Sequence, residues 1–263
     1  SSLCLIDAGD DIVALDPMYV TYEATWRLAG GNLIKVATPR ENGFRLDANA
    51  LAAAITPKTK AIVFANPNNP TGVVMSKDEL QAVADIAIKH DLWVIADEVY
   101  SAQTFEKSHF SIAALPGMKE RTVTTGSLSK SQAMTGWRIG WIAAPESLIE
   151  HCNNLGLAML YGVPGFIQSG AVEALTNSHH EIAGMLEIYR NRRDLVVSAL
   201  ANLNSIEVLV PEAGMFVLID VSKTGMNAED FAKKLYHNTG VATLGAAPFG
   251  APAGDCIRVS FTT

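Results

Sequence analysis

Cysteine is scarce in this chain: Cys4, Cys152 and Cys256 are the three in 263 residues, far apart and without C-x-x-C spacing. An odd, scattered set argues against a disulfide framework; reduced thiols, each a small buried apolar side chain, are expected, in a cytoplasmic protein. Long apolar runs are also missing. None approaches the ~18–20 residues that span a bilayer, so no membrane partner is expected. No basic segment followed by an apolar stretch opens the sequence, so no signal peptide is expected. Positive charge runs short as well. Lys and Arg number 20 against 27 Asp and Glu, the net charge is −7, and no basic patch offsets it, which disfavours nucleic acid as a partner. From Ile139 to Tyr189 there is no lysine or arginine at all. No Walker or G-x-G-x-x-G glycine pattern occurs, and Gly245–Gly254 reads as an ordinary loop. His90, His109, His151, His179, His180 and His237 lack metal-ligand spacing, so solvated or capping roles and no metal are expected.

What the chain has in quantity is apolar residues, 49% against 18% charged, ample for a buried core. Strand-like and helix-like runs alternate, the pattern of a mainly parallel α/β sheet covered by helices. Candidate strands are Ile12–Leu15, Leu33–Ala37, Ala61–Ala65, Trp93–Ala96, Thr122–Thr125 and Ile139–Ala143. Several are continuous apolar runs, as both faces of a covered sheet require. Met18–Leu28 and Lys77–His90 read as helices. The second opens with Ser76 and Glu79 at capping-box spacing and sets Leu80, Val83, Ala84, Ala87 and Ile88 on one face. Beyond Pro145 the alternation fails. A long charged helix at Glu181–Leu203, strands at Glu207–Leu209, Met215–Val221 and Ile257–Phe261, and a helix at Ala228–Thr239 suggest a smaller α+β domain. The expected division is 1–175 for a large domain and 176–263 for part of a small one.

Three motifs carry chemistry. Asn66-Pro67-Asn68-Asn69-Pro70-Thr71-Gly72 follows one strand-like run, and Ala96-Asp97-Glu98-Val99-Tyr100 closes the next. In Ser127-Leu128-Ser129-Lys130-Ser131, Lys130 stands eight residues ahead of Arg138 in Thr135-Gly136-Trp137-Arg138. An amide, a carboxylate, a phenol and an amine thus lie at the C-terminal ends of successive strands, where open α/β sheets bind ligands. A lysine flanked by hydroxyls and an arginine can form an imine with an aldehyde while its neighbours hold a phosphate, as pyridoxal 5'-phosphate (PLP) requires.

In this order the motifs closely resemble the class I/II aminotransferases, the aspartate aminotransferase-like, fold type I branch of PLP enzymes, over essentially the whole chain. The resemblance implies a three-layer α/β/α PLP-transferase-like fold, with part of a smaller α+β C-terminal domain. It makes Lys130 the Schiff-base lysine and proton shuttle, and Asp97 the partner of the pyridine nitrogen. Asn69 and Tyr100 would hydrogen-bond the cofactor's phenolic oxygen, while Ser127 and Arg138 bind its phosphate. Tyr19 would stack on the cofactor face, with Tyr22 packing one turn on. Arg258 would clamp the substrate α-carboxylate, with Asn69 beside the substrate, the planar guanidinium forming two parallel bonds. A homodimer is implied, since such sites are shared between subunits.

Transamination between an amino acid and a 2-oxo acid is the expected reaction; the same apparatus also serves lyases and synthases. A PLP-binding regulatory domain remains an alternative. So does an inactive fragment, because compared with the family the chain begins late, without the N-terminal phosphate loop, and stops early. Dicarboxylate specialists carry a second arginine about one helix after the lysine motif. The stretch 139–189 has none, which favours neutral or basic donors. Asp16–Glu23, Met159-Leu160-Tyr161-Gly162 and Gly214-Met215-Phe216-Val217 also resemble arginine–pyruvate transaminases, which adds arginine and pyruvate as candidates.

Overall fold

The computed structural model describes residues 1–262. Its first sheet has six strands: β1 (Asp11–Asp16), β2 (Asn32–Ala37), β3 (Thr59–Ala65), β4 (Trp93–Asp97), β5 (Thr122–Ser127) and β6 (Gly140–Ala143). Their order is β2-β1-β3-β4-β5-β6, all parallel except the antiparallel β5–β6 pair. Helices α1 (Ser2–Leu5), α2 (Thr21–Leu28), α3 (Ala48–Ala53), α4 (Lys77–Lys89), α5 (Leu128–Ser131) and α6 (Glu146–Leu160) connect or cover these strands. Side-chain alternation sends neighbours to opposite faces. Val13, Ile62, Phe64, Val94 and Ala96 pack towards α3 and α4, against Leu51, Leu80 and Val83. Ile12, Ala14, Val63, Ile95 and Val123 pack against Trp26 of α2 and Leu148 of α6. The result is three α/β/α layers, with the sheet covered on both sides.

Local chemistry explains the boundaries. The capping box of α4 forms: Ser76 Oγ accepts from the Glu79 amide, and Glu79 Oε2 from the Ser76 amide at 2.8 Å. Its buried face is Leu80, Val83, Ala84 and Ala87, whereas Ile88 sits at the margin, 42% exposed. Helix α2 begins at Thr21 rather than Met18, because the Met18 amide is drawn to the Phe249 carbonyl at 2.8 Å. Two helices arise that the apolar pattern did not suggest, α6 and α7 (Gly165–Asn177). They are followed by the long α8 (His179–Leu200).

The second sheet joins β7 (Glu207–Leu209), β8 (Phe216–Asp220), β9 (Leu244–Gly245) and β10 (Cys256–Ser260) in the antiparallel order β7-β8-β10-β9. Val217, Ile219 and Ile257 face Tyr189 of α8 and Ala228 and Ala232 of α9 (Ala228–Thr239). Helix α9 has the bounds its signals dictate. Asn227 caps it through the Asp230 amide, and Gly240 ends it at φ +76°. The alternate residues of the sheet, Leu218 and Cys256, pack with Phe44 and Phe249. Ion pairs join the two halves: Arg40 with Asp220, and Arg45 with Glu212.

The cysteines depart from the expectation that each is buried. Cys256 is fully enclosed, but Cys4 and Cys152 are only partly covered and their sulfurs meet at 3.9 Å. His109 is not a solvated histidine either. Its Nε2 lies 3.0 Å from Glu98 Oε2, and both side chains are nearly buried. His90 is the C-cap of α4, a capping role.

Candidate active site

The strand pattern decides where each functional group points. On β4, Val94 and Ala96 face one layer, so Asp97 shares the opposite side with Ile95 and Tyr22 of α2. Tyr22 Oη donates to Asp97 Oδ2 at 2.5 Å, and the Val99 amide donates to Oδ1 at 3.2 Å. Burial pushes the Asp97 carboxyl up, while the Tyr22 and Val99 bonds pull it down. No ion pair to Asp97 forms among the described residues. Tyr22 therefore does more than pack, its hydroxyl orienting a carboxylate 75 residues away. A cavity of about 280 Å³ opens here, lined by Tyr19, Tyr22, Ile95, Asp97 and Thr125. Tyr19 is 39% exposed and meets Tyr22 edge to face at 5.9 Å.

Lys130 lies in the one-turn α5, directly after β5. Its Nζ stands 5.8 Å from the centre of the Tyr100 ring. Burial first, then the positive charges of Arg258 and Arg138, hold its amine below the ordinary lysine value; Asp97 opposes them. Tyr100 is buried and packs edge-on to Phe216 at 5.5 Å. Its phenol is driven up by burial, against the pull of Arg258. Ser127 caps α5: Oγ accepts from the Ser129 amide at 3.0 Å and donates to the Ile139 carbonyl at 3.2 Å. Arg138 is exposed, adopts φ +52°, and donates from Nη1 to the Thr135 carbonyl at 2.9 Å. Close packing sets this corner: a Cβ on Gly126 would stand 2.4 Å from the Trp141 indole.

Arg258 comes from the second sheet. Ile257 and Val259 point into the α8–α9 core, so Arg258 emerges on the face that turns towards the first sheet. Its Nη1 donates to Asn69 Oδ1 at 2.9 Å, and Asn69 itself is buried. The guanidinium lies over two rings, 4.7 Å from Phe249 and 5.3 Å from Phe216. Phe249 belongs to the segment that reads as an ordinary loop. Its role is visible only in three dimensions, where Gly250 (φ +144°) lets the chain close on Asp16.

One crevice thus collects an amine with a lowered pKa, a carboxylate without a cationic partner, and an arginine set on aromatic rings. This donor set fits PLP. A carboxylate that burial destabilises gains from a protonated ring nitrogen, and a neutral amine can condense with an aldehyde.

Comparison with known proteins agrees. The family model for aminotransferase class I and II matches residues 1–263. The arginine–pyruvate transaminase of Pseudomonas aeruginosa is 46% identical over 256 residues, which is 97% of this chain and 65% of that protein. An aspartate aminotransferase of Musicola paradisiaca is 38% identical, over 98% of this chain and 65% of its own length. The chain therefore spans about 65% of these curated relatives. Among solved structures, a Thermus thermophilus aspartate aminotransferase variant superposes with a TM-score of 0.94 at 34% identity. It covers 100% of this chain and 71% of its own. The aromatic aminotransferase of Pyrococcus horikoshii gives 0.95 at 33% identity, over 99% of this chain and 70% of that one. Fold, motif order and the gathered side chains lead to one assignment: this chain belongs to the class I and II aminotransferases, a family of PLP-dependent, fold type I enzymes.

Proposed function

We propose that this chain carries the cofactor and substrate residues of an aminotransferase acting in the cytoplasm. It would move an amino group from an L-amino acid with a neutral or basic side chain, arginine included, to a 2-oxo acid such as pyruvate. The observation that carries this reading is the Lys130 amine, held below its ordinary value and sharing a crevice with Asp97 and Arg258. The donor preference is supported by the arginine–pyruvate transaminase relative and by the absence of Lys and Arg from 139 to 189.

PLP, when bound, supplies an aldehyde for the donor amine and a cationic ring that draws electrons from the α-carbon. The chain's own residues do the rest. Lys130, whose amine burial and the Arg258 and Arg138 charges hold below its ordinary value, would be the group that moves the proton at the substrate α-carbon. Asp97, oriented by Tyr22, would pair with the pyridine nitrogen and keep it protonated. Tyr19 would cover the ring, and Asn69 and Tyr100 would hydrogen-bond its phenolic oxygen. Arg258 grips the α-carboxylate with a fork that Asn69 and the two phenylalanine rings keep in one plane. Ser127 and Arg138 would hold the phosphate. In that role the Ser127 hydroxyl would exchange its bond to the Ile139 carbonyl for one to the phosphate. Residues 1–175 would form the large domain and 176–263 part of the small one. A second copy of the chain fits the exposed apolar surface of α6 and α7, where Leu157, Met159, Leu160, Tyr161 and Phe166 are uncovered.

Titration with PLP tests the site. A visible-violet absorbance band should appear, and borohydride should fix the label on Lys130; no band, or label on another lysine, removes the assignment. Arginine, alanine, aspartate and glutamate are then offered with pyruvate or 2-oxoglutarate. A bound cofactor without amino-group transfer would point instead to a lyase or a regulatory domain.

A further inference from the structure

We infer that Cys4 and Cys152 form a modification site: a dithiol that a small soluble disulfide, such as oxidised glutathione, converts into an intramolecular disulfide within the folded protein. The two sulfurs lie 3.9 Å apart although 148 residues separate them along the chain. That is van der Waals contact, while a disulfide needs about 2 Å, so side-chain rotation and a small helix shift close the gap.

The packing directs the pair. Leu5 follows Cys4 in α1, Leu148 lies one turn before Cys152 on α6, and both leucines belong to the same buried cluster. Residues four apart share a helix face, so Cys152 lies on the same side of α6 as Leu148, and Cys4 and Cys152 both pack against this cluster. Access is open on one side. Cys4 lines a groove of about 350 Å³ together with Leu3, Asp7, Lys60, Ser147 and His151, whose charges of both signs suit a zwitterionic disulfide such as oxidised glutathione. Burial, with the neighbouring sulfur second, pushes the Cys4 thiol up, so thiolate is scarce near neutrality and exchange there is slow. Cys256 is the internal contrast. It is fully enclosed, and burial pushes its thiol to about 12.

The exchange balances without another reactant. One cysteine thiolate attacks oxidised glutathione, forming a mixed disulfide and releasing one glutathione thiolate, which takes up the proton. The second cysteine loses its proton, attacks the protein sulfur of that mixed disulfide, and releases the second glutathione. Two protein thiols are oxidised and one glutathione disulfide is reduced to two thiols. The bond would fasten α1, whose Ser2 and preceding Ser1 help to line the cavity beside Asp97, to α6.

The test uses folded protein without cofactor, equilibrated with oxidised glutathione above neutral pH, then denatured in acid for thiol counting and tryptic mapping. The three cysteines fall in separate peptides, because Lys and Arg occur between each pair of them. The expected result is a fall from three free thiols to one, retained on Cys256, with the peptides of Cys4 and Cys152 linked. In Cys152→Ser the link should vanish and Cys4 should carry glutathione instead. Three persisting thiols, a stable glutathione adduct on the wild-type pair, or equal formation of the link in unfolded protein would each overturn the inference. Cofactor titration of the reduced protein is a separate measurement, so failure here leaves the aminotransferase reading standing.

Discussion

Tyr22 Oη donates to Asp97 Oδ2 at 2.5 Å, joining the second helix to the end of the fourth strand. The bond favours the ionised carboxylate, which burial alone would disfavour. Tyr22→Phe removes that donor and keeps the packed ring. A charged hydrogen bond is worth ~1.5–3 kcal/mol. Turnover should fall roughly tenfold or more by that measure, while thermal unfolding shifts by only a few degrees. Unchanged turnover would make the contact incidental.

Asp97→Asn should cost far more in turnover than in folding stability, since on the proposed reading it would remove the counter-charge of the pyridine nitrogen. Steady-state rates and urea unfolding, measured on the same preparation, separate the two. Comparable losses in both would mark Asp97 as a structural aspartate.

Lys130→Ala should abolish transamination, a loss of at least about a thousandfold, given what a positioned acid–base group contributes. Some non-covalent PLP could remain, visible as an altered spectrum. Full activity would remove the mechanism. Arg258→Lys tests a different step. A point charge cannot reproduce the planar fork, so KM for amino acids should rise about tenfold with a smaller change in kcat. An unaltered KM would place the carboxylate clamp elsewhere.

Asp16 gives a pH dependence of definite sign. Its side chain is buried, Oδ1 has no hydrogen-bond partner, and burial lifts its carboxyl above the ordinary 3.8. The folded state therefore binds this proton more tightly than the unfolded chain. The associated stability is complete below the ordinary value and is lost as pH rises through the raised one. Asp16→Asn should accordingly gain on the wild type as pH climbs from about 3 to 7, read from urea midpoints at each pH. A difference independent of pH would contradict the burial argument.

Gly250→Ala strikes the same contact from the other side. An added Cβ would stand 1.9 Å from Asp16 Oδ1, at φ +144°. The carboxylate or the loop must yield, at a cost of about 1–3 kcal/mol. Because Phe249 precedes it and lies against Arg258, KM for the donor should rise as well.

Much of this was readable along the chain, for identifiable reasons. The apolar runs Ala61–Ala65 of β3 and Trp93–Ala96 of β4 lead straight into Asn66 and Asp97, and α9 is bracketed by Asn227 and Gly240. Helices α6 and α7 were not legible. Leu157, Met159, Leu160, Val172 and Leu175 are exposed, so the apolar residues do not fall into one buried stripe. Tyr22 carried the period of a packed aromatic and nothing to announce its hydroxyl's partner 75 residues on. Phe249 and Gly250 looked like loop because their function depends on Arg258 and Asp16, distant in sequence. Motifs expose local chemistry; contacts across the two sheets leave no local trace.

The arrangement of Arg258 has an evolutionary corollary. On the proposed reading, electron handling would be anchored in one stack of strands and the α-carboxylate clamp in another, each fixed by its own set of apolar neighbours. Drift in the packing beneath β8 and β10 would re-aim the guanidinium, and so loosen the hold on every donor alike, while the Lys130 amine stays untouched.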